Sequence, residues 1–341
     1  MGKDLVSVII PAYNIGKHIA RGIRSCIRQT YKGIEIIIVD DGSTDNTWEI
    51  IKSFAREDSR VKAFHQENFG VSAARNAGLS YARGDYIIFL DADDWLEKDA
   101  VEYLLKIKGD RKGVIAACDF YCVKVGDGRL KRKRNRKEAD ISFILPEQIQ
   151  SGGLENAYNV LSVCFKLWPK TVIQDICFDT ELHHGEDGLF VFKAAASSDG
   201  MVFSTEPKWN LLCREGSVTR SGYDNKMLTA VTAAEKMLAY NKNPAIFPSL
   251  SAFFFSRTAG LLNLALVSEN TSRKDIYYLR EKMKGYIRFG IFYVPRFRFL
   301  LSMPFSLYLP VRLARRYRRL VEKVKRMWLY EKYNISLGSK T

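Results

Sequence analysis

The chain has 341 residues, 47% of them apolar and 27% charged, and its formal net charge is +15. That apolar fraction can bury a sizeable core, so the composition excludes a wholly disordered protein, a collagen-like chain and a disulfide-stabilised mini-protein. The length fits two domains, or one α/β unit with additions.

Strands and helices alternate over the first 90 residues. Apolar runs predict buried strands at residues 6–10, 34–39, 61–65 and 86–90. Apolar residues at helical spacing, such as Ile19, Ile23 and Ile27, predict helices between these strands. This alternation, with short connections, is typical of a doubly wound, mostly parallel sheet, so we expect a Rossmann-like α/β fold.

Polar clusters follow three of the predicted strands. They are Pro11-Ala-Tyr-Asn14, Asp40-Asp-Gly-Ser-Thr-Asp45 and Asp91-Ala-Asp-Asp94. Ligands bind at the carboxyl ends of the strands in sheets of this kind. We therefore expect the three clusters to lie at the ligand-binding edge of the sheet.

The third cluster is the most informative of the three. Its three carboxylates within four residues repel one another unless a cation neutralises them. Hard oxygen ligands, with positions left for water and phosphate oxygens, suit Mg²⁺ or Mn²⁺, and such an ion would hold a diphosphate leaving group. The alternative is an Asp-rich turn in which Asp94 caps a helix that begins near Trp95.

The two common glycine motifs for phosphate binding are missing from the sequence. There is no GxGxxG after the first strand and no GxxxxGK[ST] anywhere. The first loop instead offers a tyrosine ring that could lie against a base. Asp41 could accept a hydrogen bond from the N3–H of uracil, which favours UDP or dTDP over purine nucleotides.

Several segments, in this order and spacing, resemble the family-2 glycosyltransferases with a GT-A fold. Four lie in the first 94 residues: Val8-Ile-Ile-Pro-Ala-Tyr-Asn14, Val39-Asp-Asp-Gly-Ser-Thr-Asp45, Gly70-Val-Ser-Ala-Ala-Arg-Asn-Ala-Gly78 and Tyr86-Ile-Ile-Phe-Leu-Asp-Ala-Asp-Asp94. The rest are Lys166-Leu-Trp168, Phe178, Gly185-Glu-Asp-Gly-Leu-Phe190 and Arg214-Glu-Gly-Ser217. The resemblance covers roughly residues 5–220 and is specific for family and fold, not for the sugar.

The resemblance implies a nucleotide site made by the early motifs. Pro11, Tyr13 and Asp41 would surround the base, and Asn14 would lie nearby. Arg75 would approach the diphosphate. With the preference that Asp41 indicates, the expected donor is a UDP-sugar.

The same resemblance implies a metal site and a catalytic base. Asp91 and Asp93 would form the D-x-D pair that serves the ribose and the metal; Asp93 is the first choice as ligand, and Asp94 could share that role. Asp187 would be the base of an inverting transfer, with Glu186 in reserve; such a base typically contributes about 10²–10⁴-fold. Alternatively, both acids merely begin a helix, where the dipole favours negative charge.

Some nearby residues have two interpretations each. His183 and His184 could complete the metal shell or contact the acceptor, or they are plain surface residues. Trp168 either stacks on a sugar or lies in the core. Arg214 and Ser217 either close over the diphosphate or form a structural loop.

The basic residues are concentrated in two segments. Residues 129–137 carry seven basic and no acidic side chains, and residues 296–326 carry ten against one glutamate, so the remaining chain is near −1. The second segment predicts a basic amphipathic helix with aromatic residues, typical of a membrane-surface element; the alternative is a helix packed on the body. The first is either an exposed hairpin loop or a contact with anionic headgroups or a phosphorylated acceptor.

The cysteines and the apolar runs predict the compartment. The six cysteines form no CxxC pair, no signal-peptide pattern begins the sequence, and no apolar stretch of about 18 uncharged residues occurs. We expect a cytoplasmic protein, peripheral on the inner face of the cell membrane.

Together these observations predict a GT-A domain over 1–220, with a nucleotide-sugar-binding half (1–110) and an acceptor-binding half (111–220), and a helical region over 221–341 with a basic tail at about 296–330. The expected function is metal-dependent transfer of a hexose or N-acetylhexosamine from a UDP-sugar to a polyprenyl-diphosphate-linked saccharide of a capsule or exopolysaccharide. The alternatives are a binding-only relative, a nucleotidyltransferase and a nucleic-acid-binding protein. The near-neutral body argues against nucleic acid as a partner.

Overall fold

The structure is a computed structural model that describes residues 4–126, 129–134, 140–151, 161–213, 223–268 and 271–286, together with Val311 and Leu313. The chain divides into two compact units, Met1–Arg220 and Ser221–Thr341. Arg214, Ser217, the side chains of the basic segment 129–137 and nearly all of the predicted tail lie outside the described residues.

The described part of the first unit contains ten strands in one sheet. They are β1 (Val6–Ala12), β2 (Ile34–Asp41), β3 (Val61–Gln66), β4 (Tyr86–Phe89), β5 (Trp95–Leu96), β6 (Val114–Gly126), β7 (Arg129–Arg134), β8 (Ile141–Ile144), β9 (Lys166–Pro169) and β10 (Gly200–Cys213). Their order is β3-β2-β1-β4-β9-β6-β10-β5, with β7 beside β6 and β8 beside β10.

The sheet is parallel from β3 to β4, and β6 and β10 are also parallel. β9 joins these two parts antiparallel to both of its neighbours, β4 and β6. The predicted α/β fold with a mostly parallel sheet is confirmed; the antiparallel strands belong to the part after residue 90.

Seven helices accompany the sheet among the described residues. They are α1 (Ile19–Ile27), α2 (Thr47–Glu57), α3 (Val71–Tyr81), α4 (Ala100–Lys108), α5 (Pro146–Gln150), α6 (Lys170–Ile173) and α7 (Glu186–Ala196). The predicted spacing holds in α1, where Ile19 and Ile23 are buried and Ile27 is partly buried against the core. Burying one isoleucine side chain of this kind contributes about 1.5–3 kcal/mol, so such faces fix each helix on the sheet.

β1 extends further than the sequence predicts. The apolar run predicts a strand over residues 6–10, but the strand continues through Pro11 to Ala12, which pair with Val39 and Asp40 of β2. Alternate residues of a parallel strand point their polar groups to the same side. The Ile9 carbonyl faces β4, where it accepts from the Leu90 N–H, and the backbone of Pro11 faces the same side. Because β4 ends at Phe89, no strand lies opposite Pro11 on that side, and its missing N–H breaks no hydrogen bond between strands.

The segment after the Asp91 cluster is a strand and not a helix. Trp95 and Leu96 pair antiparallel with β10, and α4 begins only at Ala100. The alternative in which Asp94 caps a helix near Trp95 is therefore wrong. Pairing with a distant strand decides this conformation, and local sequence does not report it.

The second unit is helical where it is described. Its helices are α8 (Thr229–Tyr240), α9 (Phe247–Val267) and α10 (Arg273–Lys284). By length and composition alone, the stretch Pro244–Val267 could cross a membrane, and 56% of its most apolar window is buried. Its residues Phe254, Phe255 and Leu262 lie in a core shared with α8 and α10, as expected of a core helix.

Candidate active site

The loops after β1 and β2 are bound to each other. The Asn14 backbone N–H donates to Ser43 Oγ at 2.9 Å, and Asn14 Oδ1 accepts from the Thr44 N–H at 2.8 Å. Asn14 has φ +47°, a left-handed conformation in which asparagine is enriched. The structure thus brings together the first two predicted polar clusters.

The residues expected around the base differ in accessibility. Tyr13 is 50% exposed, whereas Pro11 and Asp41 are buried. The Asp41 carboxylate accepts three hydrogen bonds of 2.7–3.0 Å, from the side chain of Gln66 and the backbone N–H groups of Phe69 and Gly70. A carboxylate has about four acceptor positions, so roughly one is left for a donor such as a uracil N3–H.

Arg75 gathers three carboxylates around one guanidinium. Nη1 donates to Asp187 Oδ1 at 2.7 Å and to Glu186 Oε1 at 3.4 Å, and Nη2 donates to Asp91 Oδ1 at 3.1 Å. The Arg75 side chain is only 5% exposed, and its guanidinium lies 5.3 Å from the centre of the Phe178 ring. The Arg75 side chain therefore links the loop after β4 to the first turn of α7.

This cluster changes the acidity of its members. Burial alone would lower the pKa of Arg75, but the carboxylates it contacts outweigh burial and raise that pKa. Burial, followed by the charge of Asp187, raises the pKa of Glu186 to about 7, and Arg75 opposes this rise. Glu186 therefore gives up its proton less readily than an ordinary glutamate, and Arg75 stays charged.

The Arg75 guanidinium contacts acidic side chains among the described residues. Its two terminal nitrogens donate to carboxylates, and its Nε has no hydrogen-bond partner among the described residues. Arg75 therefore holds the acidic residues of the cluster together, and its approach to the diphosphate stays a prediction. The sequence around Arg75 does not predict how many carboxylates contact this side chain, because Glu186 and Asp187 lie more than a hundred positions away in the chain.

The three acids after β4 have different surroundings. The Asp91 side chain is 43% exposed, Asp93 is half-buried, and Asp94 is buried. Asp94 Oδ1 accepts from the Leu212 N–H at 2.9 Å, so this carboxyl ties the turn to β10. Burial, with the charges of Asp91 and Asp93, raises the pKa of Asp94 well above its usual range.

The carboxylates of Asp91 and Asp93 suit a divalent cation whose other ligands come from the substrate and from water. Among the described residues no three His, Cys, Asp or Glu side chains form a ready-made metal site. Mg²⁺ is commonly bound through one or two carboxylates, with phosphate oxygens and water completing its shell. Asp91 and Asp93, both partly open to solvent, supply that donor set, whereas Asp94 is engaged with β10.

Glu186 and Asp187 occupy the first turn of α7. Gly185 precedes them with φ +90°, a conformation that glycine adopts without strain, and the helix dipole favours acids at this end. Their side chains are 14% and 26% exposed, respectively. Asp187 Oδ2 also accepts from the Val163 N–H at 3.4 Å. The two acids do begin a helix, and they also contact Arg75, so their place at the helix start does not exclude them from the site.

Other expectations are decided by burial. Trp168 is fully buried, so its stacking on a sugar is wrong and its place in the core is confirmed. His183 is exposed and His184 half-buried in the loop before α7. No group of three His, Cys, Asp or Glu side chains that could hold a metal ion occurs within the described ranges, and the part of either histidine in a metal shell stays a prediction.

Sequence reasoning missed two contacts that build the site. Asn76, next to Arg75, exchanges two hydrogen bonds with the Phe178 backbone, at 2.9 and 2.8 Å, and so fixes the segment leading to α7. Asn76 lies in the segment 70–78 that resembles the family, and this position could have marked it as a site residue. Val163 acts through its backbone N–H, for which a side-chain pattern gives no signal.

Comparison with known proteins gives one family. The model of "Glycosyl transferase family 2" matches residues 7–176. Glycosyltransferase GlyG of Streptococcus pneumoniae serotype 4 is 31% identical over 227 residues, which are 65% of this chain and 75% of that protein. Glycosyltransferase GlyA of the same organism is 32% identical over 245 residues, 70% of this chain and 35% of GlyA, so this chain matches about a third of that longer protein.

Solved structures show the same fold. Residues 1–349 of S. aureus TarS are similar with a TM-score of 0.67 at 19% identity, covering 95% of this chain and 91% of that one. TarS in complex with UDP-GlcNAc has a TM-score of 0.62 at 21% identity, covering 95% of this chain and 92% of that one. These similarities confirm the fold that the resemblance implied.

Proposed function

This chain belongs to glycosyl transferase family 2, and on that premise we propose that it transfers a hexose or N-acetylhexosamine from a UDP-sugar to a saccharide acceptor with inversion. The observation that carries the proposal is the cluster around Arg75, which joins the end of β4 to the first turn of α7. It sets an acid suited to the donor side, Asp91, beside an acid suited to the acceptor side, Asp187.

The donor assignment is supported by the loops after β1 and β2. Tyr13 presents a half-exposed ring, and Asp41 keeps roughly one acceptor position for the N3–H of uracil. TarS, which shares the fold, has been crystallised with UDP-GlcNAc. These features support UDP as the nucleotide.

Asp187 is proposed as the general base. Its carboxylate is more exposed than that of Glu186 and is held by hydrogen bonds on both oxygens, from Arg75 and from Val163. A carboxylate held in one orientation can take the proton from an acceptor hydroxyl as the hydroxyl oxygen attacks the anomeric carbon. Glu186 stays in reserve, since its raised pKa makes it a competent proton acceptor only at higher pH.

Asp93 and Asp91 are proposed to hold Mg²⁺ or Mn²⁺. When bound, the ion balances the negative charge that develops on the departing diphosphate. Asp94 supports the site by fixing the turn on β10.

The acceptor and the location are proposed from the tail. Residues 296–326 carry ten basic side chains against one glutamate, with aromatic residues between them. Such a segment is attracted to anionic lipid on the cytoplasmic leaflet. We propose a polyprenyl-diphosphate-linked saccharide as acceptor, elongated at the inner face of the membrane during surface-polysaccharide synthesis.

A donor panel tests the proposal. The purified chain is mixed with UDP-, GDP- and dTDP-sugars and Mn²⁺, with saccharide acceptors, and nucleotide release is measured. The expected result is release of UDP from one UDP-sugar, above the release from GDP- and dTDP-sugars. Release confined to a GDP-sugar would contradict the donor, and release from no sugar nucleotide would contradict the activity.

A further inference from the structure

The turn at residues 162–165 contacts the candidate base. The Val163 N–H donates to Asp187 Oδ2, while Arg75 donates to Oδ1 of the same carboxylate. Asp187 is therefore held from two sides, by a guanidinium and by a backbone amide. Whatever fixes Val163 also fixes the orientation of Asp187.

This turn has an unusual backbone. Phe165 has φ +65°, a region that bulky non-glycine residues rarely adopt. Its ring stacks on Phe120 at 4.8 Å between centroids, and its carbonyl accepts from the Cys118 N–H at 3.0 Å. Such conformations persist only where the surrounding structure holds them, and they cluster at functional sites.

Two buried side chains of β9 hold the other end of the turn. Lys166 Nζ donates to the Ser162 carbonyl at 2.6 Å, and Trp168 Nε1 donates to the Val163 carbonyl at 2.9 Å. Both side chains are fully buried. Burial lowers the pKa of Lys166 to about 8, so placing an ammonium group here is costly. An apolar residue at this position could not donate to the Ser162 carbonyl.

We propose that Lys166 and Trp168 are positioning residues for the candidate base: they hold the turn at 162–165 so that the Val163 N–H faces Asp187. The inference rests on the proposed function. Because these bonds hold the turn beside Asp187, their loss is expected to reduce turnover while donor binding is kept.

The first test is Lys166→Met, which keeps a long unbranched side chain and removes its N–H donors. A misplaced catalytic group costs up to about 100-fold, so we expect kcat to fall roughly 10- to 100-fold while KM for the UDP-sugar stays within about twofold. The matched control is Lys170→Met, which removes a 2.7 Å bond from Nζ to the Ala82 carbonyl. The control is expected to keep both constants.

Amide hydrogen exchange gives a readout that does not depend on activity. In Lys166→Met, peptides covering residues 161–165 are expected to exchange faster, while β1 and β2 exchange as in the unaltered chain. Trp168→Phe, which keeps an aromatic ring and loses only the indole N–H donor, is expected to show the same pattern with a smaller decrease in kcat. It carries the test if Lys166→Met does not fold.

The outcomes separate the inference from the proposed function. Unchanged kcat in these variants, unchanged exchange at 161–165, or a rise in donor KM as large as the fall in kcat would overturn the positioning role. If the unaltered chain releases no UDP from any UDP-sugar, the proposed function fails, and the exchange of 161–165 still decides whether Lys166 and Trp168 hold the turn.

Discussion

At the scale of single residues, Arg75 determines the charge balance of the site. It is buried and donates to Asp187, Glu186 and Asp91, and each of these acids repels the other two. Removing one partner of a buried ionic group leaves uncompensated charge, which is more costly than the original pair was favourable. The site therefore depends on this cation for its structure as well as for its chemistry.

Arg75→Met tests that dependence. We expect the free energy of unfolding of the first unit to fall by about 3–5 kcal/mol, because three carboxylates lose their shared donor. Urea denaturation measures it. Arg60→Met, which breaks a more exposed pair with Asp58, serves as the control and is expected to cost much less. A loss no larger than the control's would contradict the role given to Arg75.

Glu186 predicts a dependence of stability on pH. Its pKa is raised from 4.5 to about 7 in the folded chain, so folding disfavours its ionised form. The contribution of Glu186 to the free energy of unfolding is most favourable below pH 4.5 and is lost as the pH rises through about 7. We expect Glu186→Gln to have nearly the stability of the unaltered chain at pH 4.5 and to be more stable than it at pH 8, as measured by urea denaturation. An equal difference at both pH values would contradict the raised pKa.

At the scale of elements, α3 joins the two halves of the site. Arg75 and Asn76 lie side by side on it, one bound to the acids of α7 and the other to the backbone of Phe178. The helix lies directly on β1, since a Cβ on Gly78 would be 2.4 Å from Ile9 Cγ2. Small displacements of α3 therefore move Arg75.

Gly78→Ala tests this close approach. The added methyl group would force α3 away from β1, and overpacking of this kind costs about 1–3 kcal/mol. Thermal and urea unfolding measure the loss. Gly260→Ala, in α9, is the control: its added Cβ would meet nothing within 4 Å, so a gain of about 0.5–1 kcal/mol is expected. Equal effects in the two variants would contradict the packing described.

Elements with a strong local pattern could be predicted from sequence, and contacts between distant segments could not. The strands β1 to β4 and the helix carrying Ile19 and Ile23 follow from apolar periodicity. The burial of Asp94 against β10 has no such signal, because it depends on a strand more than a hundred positions away. The same holds for Glu186 and Asp187 as partners of Arg75. Val163 gives no signal either, because it contributes only its backbone.

At the scale of the whole molecule, the excess positive charge is concentrated in two segments of the sequence. The basic residues concentrate at 129–137 and 296–326, and the rest of the chain is near −1. A lipid-linked acceptor would require the catalytic unit to work close to a membrane. The tail is the part of the sequence whose composition suits that task.

Replacing Arg315, Arg316, Arg318 and Arg319 by glutamine tests this role of the tail. Each basic residue near an anionic surface contributes about 1 kcal/mol, so binding to vesicles containing anionic lipid is expected to weaken at least about tenfold. Vesicles of neutral lipid and the affinity for UDP in solution are the controls. Full retention of binding to the anionic vesicles would contradict the membrane role.

The acids gathered by Arg75 are proposed to form one catalytic site, with Asp187 as the general base. The most direct measurement is UDP release from the preferred UDP-sugar by Asp187→Asn, with UDP affinity measured alongside. A general base contributes about 10²–10⁴-fold, so kcat is expected to fall by that factor while UDP affinity stays within about twofold. Asp99→Asn, which alters an ion pair with Lys208, should leave both unchanged. Turnover by Asp187→Asn equal to that of the unaltered chain would contradict the account.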